Sequence, residues 1–585
     1  MTDPYQEYQS LSYTLPEKTI LWNMYGAGLE NIGLNGKPEI GPIPEPADDQ
    51  LLVRVDAVGM CFSDVKLINQ GSAHPKLYNR NLREDPTRLG HEATLTVIKV
   101  GEKLADQYHP GQRLVLQPDI YHNNRSTAYG YTIPGGLIQY HLIGDEVLNA
   151  DAGSYVIPIE GGELSYAESA LTEPWACVVA SYTQRRRLTP KAGGTMWIMG
   201  VEGDQQAYRF SSGLDAPAKI VLSDVSPGFK ALVMEKKSPT AEVLAYDGLS
   251  FDDFAQLNGS VCAGAGFDDI ILLGHTSAAL VTHAVKLIAF RGTFNLVGDQ
   301  PLDGSVLIDA GRIHYHYTAY YGNPGPDIAA SYGETRNRCD LLGGGTLVAV
   351  GAGGPMGQMH VQRAIEMENG PQRIIASDVD QARLSALGDF AGPIAAARGV
   401  ELLLFNPMTA NQSLLDFLQE VNGGQLADDV VVCVPSGPLM EASYKLLGPN
   451  GMFVLFAGVA IGTGITVNIN DVFLHNLQLT GTSGSTLDDQ RLVIEKTLND
   501  QLSPILSVAA IGGMDAALDG VEAMMTGRYA GKVMIFPQIP RFPLIGLNEL
   551  ADHYPEIAEK LGPNNAWTFE AEKALIRHYW DKEYR

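Results

Sequence analysis

Cys61, His91, Glu92 and Glu173 are the residues of this chain whose types and spacing can do chemistry together. A thiolate, an imidazole and carboxylates can build a tetrahedral site for a divalent metal, and a catalytic site of that kind uses about three protein ligands and leaves one position open. Cys61-Phe62-Ser63-Asp64 follows a strand-like stretch and Gly59. Gly90-His91-Glu92 comes about thirty residues later, and Glu173-Pro174 opens EPWACVVASY, which reads as a helix. Each piece alone is weak. A lone Cys is more often a small buried hydrophobe, and a lone His is more often structural.

A second constellation is a glycine loop. The strand TLVAV (346–350) runs into Gly351-Ala352-Gly353-Gly354-Pro355-Met356-Gly357, and a helix is expected over QMHVQRAIEM. Glycines let backbone approach a pyrophosphate seated on a helix N-terminus. Asp378 closes the next strand, where an acid can accept from a ribose diol and repel a 2′-phosphate, so NAD is expected over NADP. The spacing departs from G-x-G-x-x-G by one residue, which leaves the individual phosphate contacts open.

These residues need a scaffold, and the pattern along the chain suggests one. Residues 1–190 alternate apolar and polar positions between glycines and prolines, as in LLVRVDAVGM and TLTVIKVGEKL, the texture of a partly antiparallel β-domain. After Lys191, short apolar strands alternate with helical stretches, the mark of a parallel α/β domain. That alternation occurs twice: Gly200/Gly351, Asp224/Asp378 and Asp269/Asp429 lie 151, 154 and 160 residues apart and keep their order. A period this long is a duplicated domain, not a solenoid unit. In the first copy, Gly200-Val201-Glu202-Gly203-Asp204 sets two carboxylates where phosphates would lie. It reads as degenerate and structural, with a nucleoside lacking phosphates as the alternative ligand.

The run C-x-S-D, GHE and EP, with GQRLVLQP (111–118) between and G-K-V-x-I-x-P (531–537) near the end, resembles the zinc-dependent medium-chain dehydrogenase/reductase superfamily, in particular its sorbitol and threonine dehydrogenases. The paired nucleotide folds are similar, by weaker analogy, to sorbose-1-phosphate-reductase-like members. The resemblance implies an α/β chain. It would have a GroES-like β-rich catalytic domain over 1–190 completed by 500–540, and two tandem Rossmann domains, each a doubly wound parallel sheet. The first of these, 191–340, would be degenerate and the second, 341–499, would bind NAD and face the zinc. A helical surface extension would cover 541–585. Cys61 and His91 would be zinc ligands, with Glu92 and Glu173 as carboxylate ligands that need not bind at once. Ser63 would pass on the substrate proton and Asp64 would orient a ligand, or merely cap a turn. Residues 93–150 contain no Cys, so the second, structural zinc of many relatives is not expected and one zinc per chain is.

The implied activity is hydride transfer between NAD and a secondary alcohol or ketone of a polyol, sugar or sugar phosphate. A redox-neutral zinc/NAD isomerase, epimerase or lyase and a non-catalytic nucleotide sensor are the alternatives. The segments 74–85 and 119–132 offer polar and aromatic groups that could ring a polyhydroxylated ligand or simply be solvated. Arg185-Arg186-Arg187 reads as a solvated charge run, or as a partner for a sugar phosphate. The chain has 585 residues and a formal charge of −26, which argues against nucleic acid or an anionic membrane as partner. Five scattered cysteines, no basic leader and no long apolar run suggest a cytoplasmic protein, and relatives of this kind associate as dimers or tetramers.

Overall fold

A computed structural model describes residues 3–580. The chain forms two compact units. One comprises the residues up to Ala180, Gly354–Met359 and those from Gly484 on; the other comprises Ser181–Gly353 and His360–Ser483.

The first unit is built on an eight-stranded sheet. Its central strands are β1 (Leu51–Gly59) and β2 (Glu92–Val100), paired antiparallel with Gly59 opposite Glu92. The short helix α1 (Ser63–Gln70) follows β1 directly. The closing strand Lys532–Phe536 lies along the other side of β1, placing Met534 opposite Gly59. The polar positions of β1 are buried with the apolar ones. Arg54 pairs with Asp56 at 2.6 Å, and Asp56 also accepts from Tyr8 Oη and Thr96 Oγ1 at 2.6 Å each. A buried ion pair of this kind is tolerable only because its lone pairs are filled.

The helix α2 (Tyr166–Thr183) carries Glu173. Its first turn is capped from far along the chain: Glu572, fully buried, accepts from Tyr166 N at 2.5 Å and Ala167 N at 2.8 Å. Glu572 sits on the helix Phe569–Tyr579, whose Ala571, Leu575 and Ile576 are buried, as is Trp567. The tail is therefore packed into this unit and is not the surface extension expected from its charge; residues 581–585 of that span lie outside the described residues.

The second unit holds two six-stranded parallel sheets. The first copy contributes β3 (Thr195–Met199), β4 (Lys219–Ser223), β5 (Glu242–Tyr246), β6 (Phe267–Leu273), β7 (Ile288–Val297), β8 (Val306–Asp309), α3 (Ala310–Tyr315) and β9 (Ala319–Asn323). The second contributes β10 (Thr346–Val350), α4 (Pro355–Glu366), β11 (Arg373–Ser377), β12 (Glu401–Phe405), β13 (Ala427–Val432), β14 (Leu447–Leu455), β15 (Gly464–Val467), α5 (Asn470–Leu474) and β16 (Gln478–Thr480). Both sheets run in the order third, second, first, fourth, fifth, sixth, the doubly wound Rossmann arrangement with its crevice where the order reverses. The fold class is thus the one the sequence pattern implies.

The copies meet reciprocally. β8 pairs antiparallel with β15, Val306 opposite Val467 and Asp309 opposite Gly464. α3 packs on β14 and β16, α5 packs on β9, and the sixth strands β9 and β16 touch. One apolar core runs through both copies, including Phe294 and Tyr320 of the first and Phe453 and Phe473 of the second. Among the described residues no helix is long and apolar enough to cross a membrane, and the five cysteines are free thiols.

Burial pushes the Glu572 carboxyl up to about 7 from its ordinary 4.5, although the two N–H donors and Arg113 pull it down. A carboxyl raised on folding holds its proton more tightly in the native state. Its contribution favours the fold at low pH and is lost as pH climbs from 4.5 through 7. Relative to Glu572→Gln, the native protein should therefore lose stability across that window, by up to about 3 kcal/mol. Thermal midpoints of the two proteins measured on either side of it check this, and identical pH dependence would contradict it.

Candidate active site

The register of β1 on β2 assembles the cluster. Gly59 ends β1 opposite Glu92, and any Cβ there would sit 2.1 Å from Glu92 Oε2. Gly90 has φ +95°, and a Cβ would meet Val58 Cγ1 at 2.8 Å, so the turn into His91 requires glycine. Cys61 sits two residues past β1, and His91 immediately precedes β2. Cys61, His91 and Glu92 consequently offer a sulfur, a nitrogen and an oxygen that all lie within 4.8 Å of one another.

Their neighbours fix them. Asp64, in the first turn of α1 and 1% exposed, lies 3.1 Å from His91 Nδ1 through Oδ1. This leaves Nε2 for the cluster, so Asp64 orients the His91 ring and is not merely a turn cap. Ser63 Oγ donates to Cys61 Sγ at 3.1 Å and is 3.3 Å from His91 Nε2. Gly130 lets the backbone pass His91, since a Cβ there would lie 3.0 Å from the His91 Cβ. Burial opposes charge on the His91 ring, but Asp64 and Cys61 outweigh it and hold the imidazole well above its ordinary value.

Lys532 is the residue that motif reading passes over. It opens the closing strand, is buried, and forms an ion pair with Glu92 Oε1; its Nζ also donates to Met60 O at 3.2 Å. Glu92 Oε2 and Asp64 Oδ2 are buried without a partner. The lysine within G-K-V is the only sequence signal for this contact, and nothing in it specifies the partner.

Glu173 lies outside the triple whose ligand atoms come within 4.8 Å. It is 6% exposed, with Cys177 Sγ one turn on at 3.9 Å. Burial pushes its carboxyl up to about 7; His91 pulls it down and Glu92 adds to the rise. The segments 74–85 and 119–132 do come together beside the cluster. Lys76 pairs with Asp119 at 2.7 Å and lies 5.0 Å from the Tyr131 ring centre, and Tyr131 lies 6.0 Å from the His91 ring.

A half-buried thiol with a buried imidazole and a buried carboxylate, one of whose oxygens has no partner, fit a borderline-soft divalent ion such as zinc. The donor set does not resemble the all-oxygen cages of calcium or magnesium.

The glycine loop of the second copy forms a tight turn between β10 and α4. Gly351 takes φ +78°, where a Cβ would strike Val434 Cγ2 at 2.4 Å, so only glycine fits there. Gly353 N donates to Asp378 Oδ2 at 2.8 Å, and Asp380 N to Asp378 Oδ1 at 2.9 Å, which fixes the acid beside the loop. Gly354 then leads into α4, whose first turn holds Pro355, Met356 and Gly357. In the first copy no helix follows β3 before β4 among the described residues. Side chains of the connecting segment instead approach the end of β6. A Cβ on Gly274, just after β6, would lie 2.7 Å from Tyr208 Oη and 2.8 Å from Asp204 Oδ2. Asp224 is spent locally, accepting from Gly248 N at 2.7 Å.

Residues 47–151 match the alcohol dehydrogenase GroES-like domain, and residues 355–499 match the zinc-binding dehydrogenase domain. Sorbitol dehydrogenase of Macaca fascicularis is 39% identical over 308 residues, 46% of this chain and 80% of that protein. L-sorbose 1-phosphate reductase of Klebsiella pneumoniae is 28% identical over 306 residues, 48% of this chain and 71% of that one. Mannitol-1-phosphate 5-dehydrogenase of Aliivibrio fischeri is 22% identical over 548 residues, 92% of this chain and 94% of its own. The chain belongs to the zinc-dependent medium-chain dehydrogenase/reductase superfamily, and is an oxidoreductase that works with zinc and a nicotinamide cofactor.

Proposed function

We propose that this chain interconverts a secondary alcohol and a ketone on a polyol or sugar phosphate, with one zinc at Cys61, His91 and Glu92 and NAD on the second Rossmann copy. The observation that carries this reading is the close sulfur, nitrogen and oxygen triple, its imidazole and carboxylate buried, with Asp64 behind His91. The polyol and sugar-phosphate class is taken from the names of the relatives, and the Lys76, Asp119 and Tyr131 group beside the cluster supplies polar and aromatic contacts that suit it. On this reading residues 1–190 with 500–540 are the catalytic domain, 191–340 the degenerate copy, 341–499 the cofactor domain and 541–585 a terminal segment bracing α2.

When bound, the zinc supplies Lewis acidity toward the alcohol oxygen and the NAD a hydride acceptor. The chain's own residues do the rest. Asp64 holds His91 through Nδ1 so that Nε2 faces the metal. Ser63 Oγ, between Cys61 and His91, relays the substrate proton, accepting it as it releases its own hydroxyl proton outward. Lys532 holds one oxygen of Glu92 and offsets its charge, leaving the other oxygen for the metal. Glu173 stands behind the triple as the fourth candidate ligand. Gly354–Met359, the start of α4, belongs to the same compact unit as Cys61 and His91, which supports the second copy as the cofactor partner. Asp378 favours NAD over NADP by excluding a 2′-phosphate. The cytoplasm suits five free thiols. Association into dimers or tetramers belongs to faces other than β8 and β15, because these strands already satisfy each other within one chain.

Cys61→Ala should remove zinc and turnover together, read by metal analysis and a steady-state assay; turnover in a metal-free variant would contradict the scheme. Asp64→Asn should keep the fold and weaken zinc roughly 10- to 100-fold. Unchanged affinity in a chelator competition would mean that Asp64 does not orient His91. Calorimetric titration should give one NAD per chain, lost in Gly353→Val and retained in Gly203→Ala. Two NAD per chain, or loss only in the first-copy variant, would assign the cofactor to the wrong repeat.

A further inference from the structure

The three consecutive arginines after α2 go to three different places. Arg185 pairs with exposed Glu334 at 2.9 Å. Arg187 is structural: it bonds buried Asp269 at 3.1 Å and Asp268 O at 2.7 Å. The second copy repeats that arrangement with Arg338, Asp429 at 2.7 Å and Asp428 O at 3.1 Å. Arg186 has no carboxylate. Its Nη2 donates to Ile313 O at 3.2 Å and Gly481 O at 2.6 Å, and its Nε is buried without a partner. The expectation of a solvated charge run is thus corrected for Arg186 and Arg187.

The internal duplication supplies a control for what surrounds Arg186. Arg291 and Tyr317 both have left-handed backbone, with φ +55° each. Their counterparts in the second copy are Asn450 and Asn476, with φ +61° and +59°. The backbones match as well, since Arg291 N donates to His316 O at 2.8 Å and Asn450 N to His475 O at 2.8 Å. Asparagine tolerates this conformation and a bulky side chain is strained in it. In the second copy the two asparagines bond each other at 3.1 Å. In the first, the Arg291 guanidinium lies 4.4 Å from the Tyr317 ring centre, and the Arg186 guanidinium lies 5.4 Å from the same centre. Strain at two neighbouring positions, kept only in the copy whose own nucleotide crevice is filled, marks a site whose side chains have a task.

Arg186, Arg291, Lys191, Phe290, Thr293 and Tyr317 line a cavity of about 230 Å³, and among the described residues no carboxylate lines it. Lys191 is paired with Asp268 at 2.6 Å, so Arg186 and Arg291 are its uncompensated charges. In a chain of formal charge −26, two guanidiniums facing one cavity without an acid await an anion. Every lining residue belongs to the compact unit that does not contain Cys61, His91 and Glu92.

We propose that this cavity in the first Rossmann copy binds a phosphomonoester group, gripped by Arg186 and Arg291, with the organic part against Phe290 and Tyr317. Guanidinium forks match phosphate oxygens bidentately, and the aromatic faces favour a ligand larger than the free ion. The first copy would then have exchanged its dinucleotide crevice for an anion site at the other end of the sheet, beside the starts of β7 and β9.

Calorimetric titration of the full-length protein with inorganic phosphate, a hexitol phosphate and AMP tests this. Saturable binding of at least one is expected, and whichever organic phosphate binds more tightly than the free ion identifies the source. Arg291→Asn with Tyr317→Asn, which installs the residues of the second copy, should weaken binding at least tenfold and leave the thermal midpoint unchanged or higher. Arg291→Asn alone should weaken it in the same direction. No saturable binding of any of the three, or affinity within twofold of native in the double variant, would overturn the proposal.

Discussion

The close approach of β1 and β2 at Gly59 and Glu92 is the constraint on which the cluster of Cys61, His91 and Glu92 depends. Antiparallel register decides which residues face each other, and a shift of one residue would turn every side chain to the other side of the sheet. Here the register sets the end of β1 against the start of β2, so that Cys61 and His91, thirty residues apart, meet. Gly59 leaves the space into which Glu92 folds, and Gly90 makes the turn that delivers His91. The closing strand fixes the same point from the other side and brings Lys532 to Glu92. Three carboxylates, Asp64, Glu92 and Glu173, and a thiol near one point would repel one another if all were charged in a dry site. Lys532 offsets part of that charge, and a divalent ion held by the neutral imidazole would offset more of it.

The duplication separates two tasks that a single nucleotide domain must combine. A Rossmann sheet offers a crevice at the carboxyl ends of its strands and an apolar face toward a neighbour. The first copy keeps the neighbour contact: β8 against β15, α3 and α5 crossing reciprocally, and one core through both sheets. It does not keep the crevice, which Asp204 and Tyr208 cover and which lacks the helix that would receive a pyrophosphate. Losing the loop removes no packing, because the contact lies on a different edge. The relative of Aliivibrio fischeri that matches 92% of the chain extends over this copy too, whereas the 39% identical sorbitol dehydrogenase match spans 46% of the chain.

Much of this was legible in residues that are close in sequence. C-x-S-D and GHE point to Cys61, Ser63, His91 and Glu92, and the duplicated strand pattern points to two parallel sheets. Boundaries were less legible: α2 begins at Tyr166, seven residues before the Glu173 at which its helical pattern becomes clear. What escaped depends on distant pairing. Lys532 meets Glu92 across 440 positions, and no local pattern encodes that register. Glu572 caps α2 from the tail, whose charge reads as solvated because the sequence does not reveal that one of its acids is matched to two helix N–H groups. The missing helix of the first copy is likewise invisible; its two acids are legible, but the approach of Asp204 and Tyr208 to Gly274 is not. Arg186 escaped because a run of like charges reads as a unit, while each side chain of the run finds its own partner.

The central claim is that Cys61, His91 and a carboxylate hold the metal. X-ray absorption at the zinc edge of the loaded protein reads that donor set directly. The account predicts one sulfur scatterer at about 2.3 Å with nitrogen and oxygen neighbours at about 2.0 to 2.2 Å. Two or more sulfurs would bring another cysteine into the shell, and no sulfur would remove Cys61 from it; either result would contradict the site built here.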